Sequence, residues 1–581
     1  MTGDRTIPAL WRDALHQQRS TPAYLVESDD GWREVSWDEA ARAVEELAHG
    51  LLALGVRKGD AFAIMGRTTL EWALFDFALA HVGAITAPIY PSSSPKDAAY
   101  IAEHSESVGI LAEDELPDLS SRVEHRLTFA DLDSLRERGR QHAASNPGAL
   151  DESVAAVSED DLFTYIYTSG TTGPPKGCMI PHRNYYEMCA TVARMQSLLV
   201  EGDTVLLFLP LAHNFGRLVH LLGPHLGYTI AFCPDPLRVA DVLPDVRPTV
   251  FPSVPRVFEK VHTAVVAKFE EETGVKRRLI DWALGVGRRA SVLRQQGLPL
   301  PPLLALQHRV ADKLVYSKVK ARLGGRLRAA VSGGAPLAKE IAEYFHALDI
   351  LILEGYGLTE CTTACAANRV DRFRFGTVGT AMPGFELKIA EDGEILIKGP
   401  TIFGGYYKDE ESTRAVLTED GWLRSGDVGA LDEDGFLTVT DRKKDIIVTA
   451  GGKNVAPQNL ENELKSSRFV SQALVVGDRR PYIVALVALD EDEVNTWAAE
   501  RGLDGDVAAL SRHESVRQLV DDIVSGVNAD RSRFEQVKRF TILPRDFSAE
   551  NDEVTPTLKL RRRICEDHFA EEIEQLYGLS E

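Results

Sequence analysis

Between residues 35 and 206, stretches with apolar residues at helical spacing alternate with short apolar runs. WDEAARAVEELAHGLLALGV (37–56) is amphipathic, AFAIMG (61–66) strand-like, TLEWALFDFALAHVGA (69–84) helical and ITAPIY (85–90) strand-like. Such alternation predicts parallel sheets with crossover helices. Further strands are expected at LFTYIY (162–167), TVLLFLP (204–210), TIAFC (229–233) and LRAAVSG (327–333). The texture then changes. From 256 to 325, VFEKVHTAVVAKFEE and LIDWALGVGRRASVL, separated by GLPLPPL from another helical stretch, predict a helical elaboration packed on the core. After 375, many glycines and the short runs FELKI, GEILIKG and GFLTVT predict an antiparallel β subdomain over about 376–440.

A charged hexad, TDRKKD (440–445), separates GFLTVT from the apolar IIVTA, and the texture beyond it is freshly α+β. ALVVG and YIVALVAL flank DRRP and suggest a small sheet, with helices around NLENELK and ESVRQLVDDIVSGV. The expected fold class is therefore α/β. A large N-terminal domain (1–440), with stacked mixed or parallel sheets and the β subdomain, is joined by a hinge to a small α+β C-terminal domain (441–581).

Composition narrows the function. With 44% hydrophobic and 26% charged residues the 581-residue chain is globular. A formal net charge of −22 argues against a nucleic-acid binder, which needs broad positive faces, so any anionic ligand must be captured locally. The N-terminal MTGDRTIPALWRDALHQQ has acidic residues and no sustained apolar core, so neither a signal peptide nor a spanning helix is expected there and the expected compartment is the cytoplasm. The six cysteines form no CxxC pair; Cys361 and Cys365 read as small packing residues.

The densest chemistry lies in YTSGTTGPPKG (167–177), which leaves the apolar run LFTYIY: three glycines, two consecutive prolines, several hydroxyls and one lysine in eleven residues. Backbone amides and hydroxyls facing one point suit a polyanion. The stretch is not a Walker loop, since Pro175 stands five residues after Gly170 and Gly177, not a hydroxyl residue, follows Lys176. Pro174 and Pro175 donate no amide hydrogen, so phosphates would be held by another geometry. A hydrolase reading would use Ser332 in AAVSGGA, but the Gly-x-Ser-x-Gly elbow is broken at Ala330 and no HGGG-type motif occurs.

Read with LPLAHNFG, VSGGAPL, EGYGLTE, GWLRSGDVG, DRKKDIIVTAGGKNVAP and TPTLKLRR, in this order, the loop resembles that of the adenylate-forming superfamily. That superfamily holds acyl-CoA synthetases, peptide-synthetase adenylation domains and luciferases. The resemblance spans about residues 20–565. RPTVFPSVPRVFEKV, the helical insertion after it and TPTLKLRR look most like bacterial long-chain fatty-acyl-CoA synthetases. It implies two steps: a fatty acid and ATP give acyl-AMP and pyrophosphate, then coenzyme A gives acyl-CoA and AMP.

Residue by residue, the resemblance implies that Thr168, Ser169, Gly170, Thr171, Thr172, Gly173 and Lys176 hold the β- and γ-phosphates. Glu360 would bind Mg2+, Thr359 the α-phosphate, and Tyr356 would stack on adenine. Gly333, Gly334, Ala335 and Pro336 would line the adenine slot, with Glu354 and Gly355 also in the nucleotide site. Asp427 would accept the ribose hydroxyls beside Arg442, and His213 would line the acyl pocket near the carboxylate. Lys559, preceded by Leu558 where many relatives have glycine, would bridge the acyl carboxylate and α-phosphate. The small domain would turn at Lys444, bringing Gly451 and Gly452 to the thiol tunnel for the second step. A carrier protein stays open as an alternative acceptor, as does a catalytically silent nucleotide-binding homologue. Arg561, Arg562 and Arg563 leave open a solvated or membrane-leaning basic face.

Overall fold

The computed structural model describes residues 4–168, 174–195, 198–529, 531–548, 550–555 and 560–578. Its first sheet has six strands, in the spatial order His125–Thr128, Ser107–Ala112, Ala61–Met65, Ile85–Ile89, Leu162–Thr168 and Lys176–Pro181. All neighbours are parallel except the last pair, an antiparallel ribbon that places Thr168 opposite Lys176. A second sheet of nine strands is parallel through its six central members, which include Thr204–Leu207, Val250–Ser253, Ala329–Ser332 and Leu351–Tyr356. One continuous apolar core joins the sheets through residues such as Phe62, Phe77, Leu206, Ile230 and Ile352. The helix Leu70–His81 is buried at almost every position, as a helix apolar all round must be.

A buried polar knot pins the strand that precedes the hydroxyl-rich loop. Arg217, fully buried, donates from Nε to Asp76 Oδ2 at 3.0 Å and from Nη1 to Thr164 Oγ1 at 2.6 Å; Thr86 Oγ1 donates to Asp76 Oδ1 at 2.7 Å. One guanidinium thus ties the helix Asn214–Leu226 to the helix Leu70–His81 and to two strands. A buried ion pair is tolerated only when such hydrogen bonds satisfy its remaining atoms.

Residues 255–322 are helical, in the segments Pro255–Glu270, Gly274–Gln295, Pro302–Ala311, Asp312–Tyr316 and Ser317–Arg322. Four antiparallel strands, Glu386–Ile389, Glu394–Lys398, Leu423–Leu431 and Leu437–Arg442, form the β layer that follows. Two expected limits shift. The strand at 204 ends at Leu207 instead of reaching Pro210, whose nitrogen cannot donate to a ladder. The strand Leu437–Arg442 also continues through Thr440, Asp441 and Arg442, half of the charged hexad, because Asp427 pairs across the ladder with Arg442.

Beyond 445 come the short hairpin Ile447–Val448 with Asn454–Val455 and a three-stranded sheet of Val470–Val476, Ile483–Leu489 and Val537–Ile542. Each face of that sheet has its own core: Leu460, Val475 and Val520 on one side, Leu474, Leu486 and Phe569 on the other. This region touches the large one through polar contacts. Arg256 donates to the Ser471 carbonyl at 3.1 Å, and Arg468 lies 3.4 Å from Glu270.

Candidate active site

Two structural devices build the EGYGLTE corner at the end of the strand Leu351–Tyr356. Gly357 is obligatory, since a Cβ there would come within 2.2 Å of the Thr363 carbonyl oxygen. The chain then makes the tight turn Thr359–Cys361 and passes through positive φ at Thr362 (56°) and Thr363 (94°), a conformation that costs non-glycine residues energy. Side chains hold it there. Thr362 Oγ1 donates to the Thr401 carbonyl at 2.8 Å and accepts from Asn184 Nδ2 at 3.1 Å; Thr401 Oγ1 donates to the Cys361 carbonyl at 2.8 Å. Glu360 is therefore presented by a fixed turn.

On one side of this corner, the Tyr356 hydroxyl donates to Asp427 Oδ2 at 2.6 Å, and Arg442 Nε lies 3.5 Å from Asp427 Oδ1. Burial, and then the Asp427 charge, raise the Tyr356 phenol well above its ordinary value, so it remains a donor. Nearby, Glu354 Oε2 accepts the Leu337 amide at 3.1 Å, while buried Oε1 has no hydrogen-bond partner among the described residues. Burial raises the Glu354 carboxyl to about 7. Ser332 pairs in register with Glu354 and leads into Gly333 and Gly334, the latter at φ 84°. Gly355 opens toward Ala366, whose carbonyl a Cβ would meet at 3.6 Å.

On the other side, Lys176 Nζ lies 3.1 Å from Asp409 Oδ2, donates to Ser412 Oγ and sits 5.4 Å from the centre of the Tyr406 ring. The Tyr406 hydroxyl donates to Glu360 Oε1 at 2.6 Å. Asp409 caps the helix Glu410–Val416, and hydrogen bonds from Ser412, with Lys176 beside it, hold its carboxyl at about 2. A cavity of about 320 Å³ opens here, bounded by Glu360, Tyr406, Leu358, Glu394, Arg424 and Lys443. Lys444 belongs to the same region: burial and Arg442 lower its ammonium, while the charges of Asp427 and Glu360 act in the opposite sense.

His213 caps the helix Asn214–Leu226, its Nδ1 accepting the Phe215 amide at 3.2 Å, which in the neutral ring leaves the proton on Nε2. That helix reaches the EGYGLTE corner, because Thr363 Oγ1 donates to the Asn214 carbonyl at 3.3 Å. Gly451 and Gly452 lie in the exposed turn between Ile447–Val448 and Asn454–Val455; the Gly452 amide bonds Thr449, and the adjacent Ala450 bonds Arg480. No described contact brings them to Glu360 or Asp427. Ser169, Gly170, Thr171, Thr172, Gly173 and Lys559 lie outside the described residues. Thr168 is in its strand, directly opposite Lys176.

The basic face suggested by Arg561, Arg562 and Arg563 is not open as a whole. Arg562 donates from Nη2 to both carboxylate oxygens of buried Glu461, at 2.7 and 2.9 Å, and Arg561 pairs with Asp552. Only Arg563 is exposed. Sequence reading also missed Tyr406, Asp409 and Ser412, which stand closest to Lys176 and Glu360.

The cluster of Tyr356, Asp427 and Arg442 and the charged cluster of Glu360 and Lys176 thus flank one corner beside the two-sheet core. The AMP-binding enzyme family profile matches residues 11–407 and its C-terminal domain profile residues 444–581, so the chain belongs to the AMP-binding enzyme family. It is similar to the Long-chain-fatty-acid–CoA ligase FadD15 of Mycobacterium bovis, at 39% identity over 97% of this chain and 96% of that protein. It is also similar to the peroxisomal Long chain acyl-CoA synthetase 6 of Arabidopsis thaliana, at 31% over 94% and 82%. In fold it is similar to the adenylation domain of a Mycobacterium chelonae carboxylate reductase, with a TM-score of 0.74 at 24% identity, covering 99% of this chain and 91% of that one. That likeness concerns architecture alone.

Proposed function

We propose that the chain activates a long-chain fatty acid with ATP to an acyl adenylate, releasing pyrophosphate, and then transfers the acyl group to coenzyme A with release of AMP. The observation that carries this is the convergence of Tyr356–Asp427–Arg442 with Glu360 and Lys176 around one corner. The long-chain acid follows from the similarity to FadD15 along nearly the whole chain. Asp427 offers the carboxylate that the two ribose hydroxyls require. The unpartnered Glu354 Oε1 is an acceptor suited to the adenine amine, since a buried acceptor left unsatisfied is costly.

Fatty carboxylate and triphosphate are both anions, so their approach needs cationic groups already in place. Lys176 supplies one by leaving Asp409 and Ser412 for the phosphates. Lys559 supplies another where the carboxylate meets the α-phosphate, orienting the attack. Glu360 gives a hard oxygen donor, and one carboxylate with phosphate oxygens and waters suits Mg2+. When bound, that ion would screen the phosphate charge and help pyrophosphate leave. His213, with its proton on Nε2, would donate to the acyl carboxylate.

We take residues 1–440 as the adenylating domain and 441–581 as a mobile one turning at Lys444. Lys559 and the Gly451–Gly452 turn would then serve in succession. The reaction test is a series of short- to long-chain acids with ATP and coenzyme A, reading AMP and thioester together; release of ADP, or an optimum at acetate, overturns the reading. The motion has its own test. Lys559→Ala should abolish most pyrophosphate release yet leave conversion of supplied acyl-AMP largely intact, whereas Lys444→Pro, which fixes φ, should do the reverse. Equal damage to both half-reactions by both variants refutes the two-state assignment.

A further inference from the structure

Eight of the thirteen exposed large apolar residues among those described fall between Val275 and Leu314, in the helical elaboration. The same region is strongly basic. Residues 274–326 hold twelve Lys and Arg against two Asp, in a chain whose net charge is −22. Arg277 pairs with Asp281, Arg294 with Asp349 and Lys320 with Asp312 and Asp349. Arg278, Arg288, Arg309, Lys313, Lys318 and Arg322 are exposed and have no ion pair among the described residues.

The helices arrange these residues on outward faces. Gly274–Gln295 buries Ile280, Ala283, Val286, Gly287 and Ala290, and is seated so tightly that a Cβ on Gly287 would come within 1.9 Å of the Ala347 carbonyl oxygen. Its opposite face presents Arg278, Trp282, Arg289 and Val292 at helical spacing. Residues 302–322 run without interruption through the π turn Asp312–Tyr316. They bury Ala311, Val315, Tyr316 and Val319, and expose Leu303, Leu306, Val310 and Leu314, spaced by three, four and four. Leu303 and Leu306 are 69% and 56% exposed. Arg289 donates to Gln307 at 3.3 Å, joining the two helices along their exposed edges.

We infer that this face, residues 275–322, docks the protein on a lipid bilayer whose surface carries anionic headgroups. Leucines and a tryptophan interleaved with unpaired cations are the pattern of helices that lie in a membrane interface, apolar side chains entering the acyl boundary while Lys and Arg reach the headgroups. No helix of the described residues is long and apolar enough to cross a membrane, so the contact is peripheral. A second copy fits less well, because a two-fold contact sets this face against itself and brings like charges together. The inference does not depend on the acyl substrate proposed above.

Full-length protein should cosediment with extruded vesicles of phosphatidylcholine and 30 mol% phosphatidylglycerol in 0.1 M salt at least tenfold more than with pure phosphatidylcholine. Raising the salt to 0.5 M should remove most of that difference. Since each cation near such a surface contributes about fivefold in partition, Arg309→Glu with Lys313→Glu should reduce binding more than tenfold, and Leu303→Glu with Leu306→Glu comparably. All four positions are exposed, so melting temperature and solution adenylation should stay unchanged. Brominated lipid should quench tryptophan fluorescence in the parent and not in Trp282→Phe. Binding indifferent to lipid charge, or equally lost on reversing Arg512 and Arg517 in the small domain, overturns the proposal. So does a concentration-dependent dimer, or a complex with an acidic protein, that the leucine variants abolish while vesicle binding persists.

Discussion

On the side of Asp427 the groups are already arranged as a nucleoside would need them: a tyrosine hydroxyl and a guanidinium converge on one carboxylate across a β ladder, and a buried acceptor waits at Glu354. On the side of Lys176 the charges are occupied with one another. Lys176 is engaged by Asp409, Ser412 and the Tyr406 ring, and Tyr406 in turn holds Glu360. The contrast follows from charge density. Ribose and adenine are neutral, so fixed hydrogen-bonding groups serve them at little cost, whereas a site for triphosphate left unfilled would hold uncompensated cations. Asp409 and Ser412 balance the Lys176 charge in this arrangement, and under the function proposed above arriving phosphate would take their place.

The contrast is sharpest in its largest expected effect. Glu360→Gln keeps the size of the side chain and its acceptor for Tyr406, but removes the charge. Pyrophosphate release in the first half-reaction should fall about 100- to 1,000-fold, the scale of losing one preorganised electrostatic group. The affinity for AMP, measured by calorimetry, should stay within about threefold, because Tyr356, Asp427 and Arg442 are untouched. Equal losses in both measurements would mean that the two sides are one cooperative unit.

The nucleoside side has a cost of its own, and pH exposes it. Glu354 has a folded-state value of about 7, raised by burial from an ordinary 4.5. Between those values the native state binds more protons than the unfolded one, so stability falls as pH rises through this window. The full effect, about 3 kcal/mol at most, is present above about pH 7 and absent below about pH 4.5. Glu354→Gln should flatten the pH dependence of the urea midpoint over this range and stabilise the ligand-free protein at pH 8. An unchanged slope would remove Glu354 as its cause.

These sides were not equally legible in the sequence. EGYGLTE, GWLRSGDVG around Asp427 and DRKKD around Arg442 are contiguous motifs whose residue types state their chemistry, and alternating apolar runs revealed the parallel sheets. The partners of Lys176 could not be read. Ser412 is 236 residues away, and Asn184, which braces the Glu360 turn through Thr362, is 178 residues from it. Asp409 followed by Glu410 and Glu411 does signal a helix start, but nothing local says that the cap also faces a lysine. The arginines at 561–563 misled for the same reason, since Glu461 lies 101 residues before Arg562. The strand 125–128 and the helix 132–145 were missed because they are polar, and the helix 149–156 because two turns are too short to show a period; close packing of Gly139 against Glu46 holds the first of these helices.

The smallest effect tests partner exchange directly. Asp409→Asn keeps an Oδ atom to accept the Ser412 amide, so the cap on Glu410–Val416 survives while the charge facing Lys176 disappears. The pair is about one-third exposed on both sides, at 36% and 33%, and half-solvated pairs of this kind contribute about 1 kcal/mol or less. Freeing Lys176 from this competition should therefore lower KM for ATP by about two- to fivefold, leave AMP affinity alone and leave kcat nearly unchanged. High salt should shrink the difference between variant and parent, because it screens the same pair. If KM for ATP instead rises, Asp409 positions Lys176 for phosphate and does not compete for it, and the phosphate side is as preorganised as the nucleoside side.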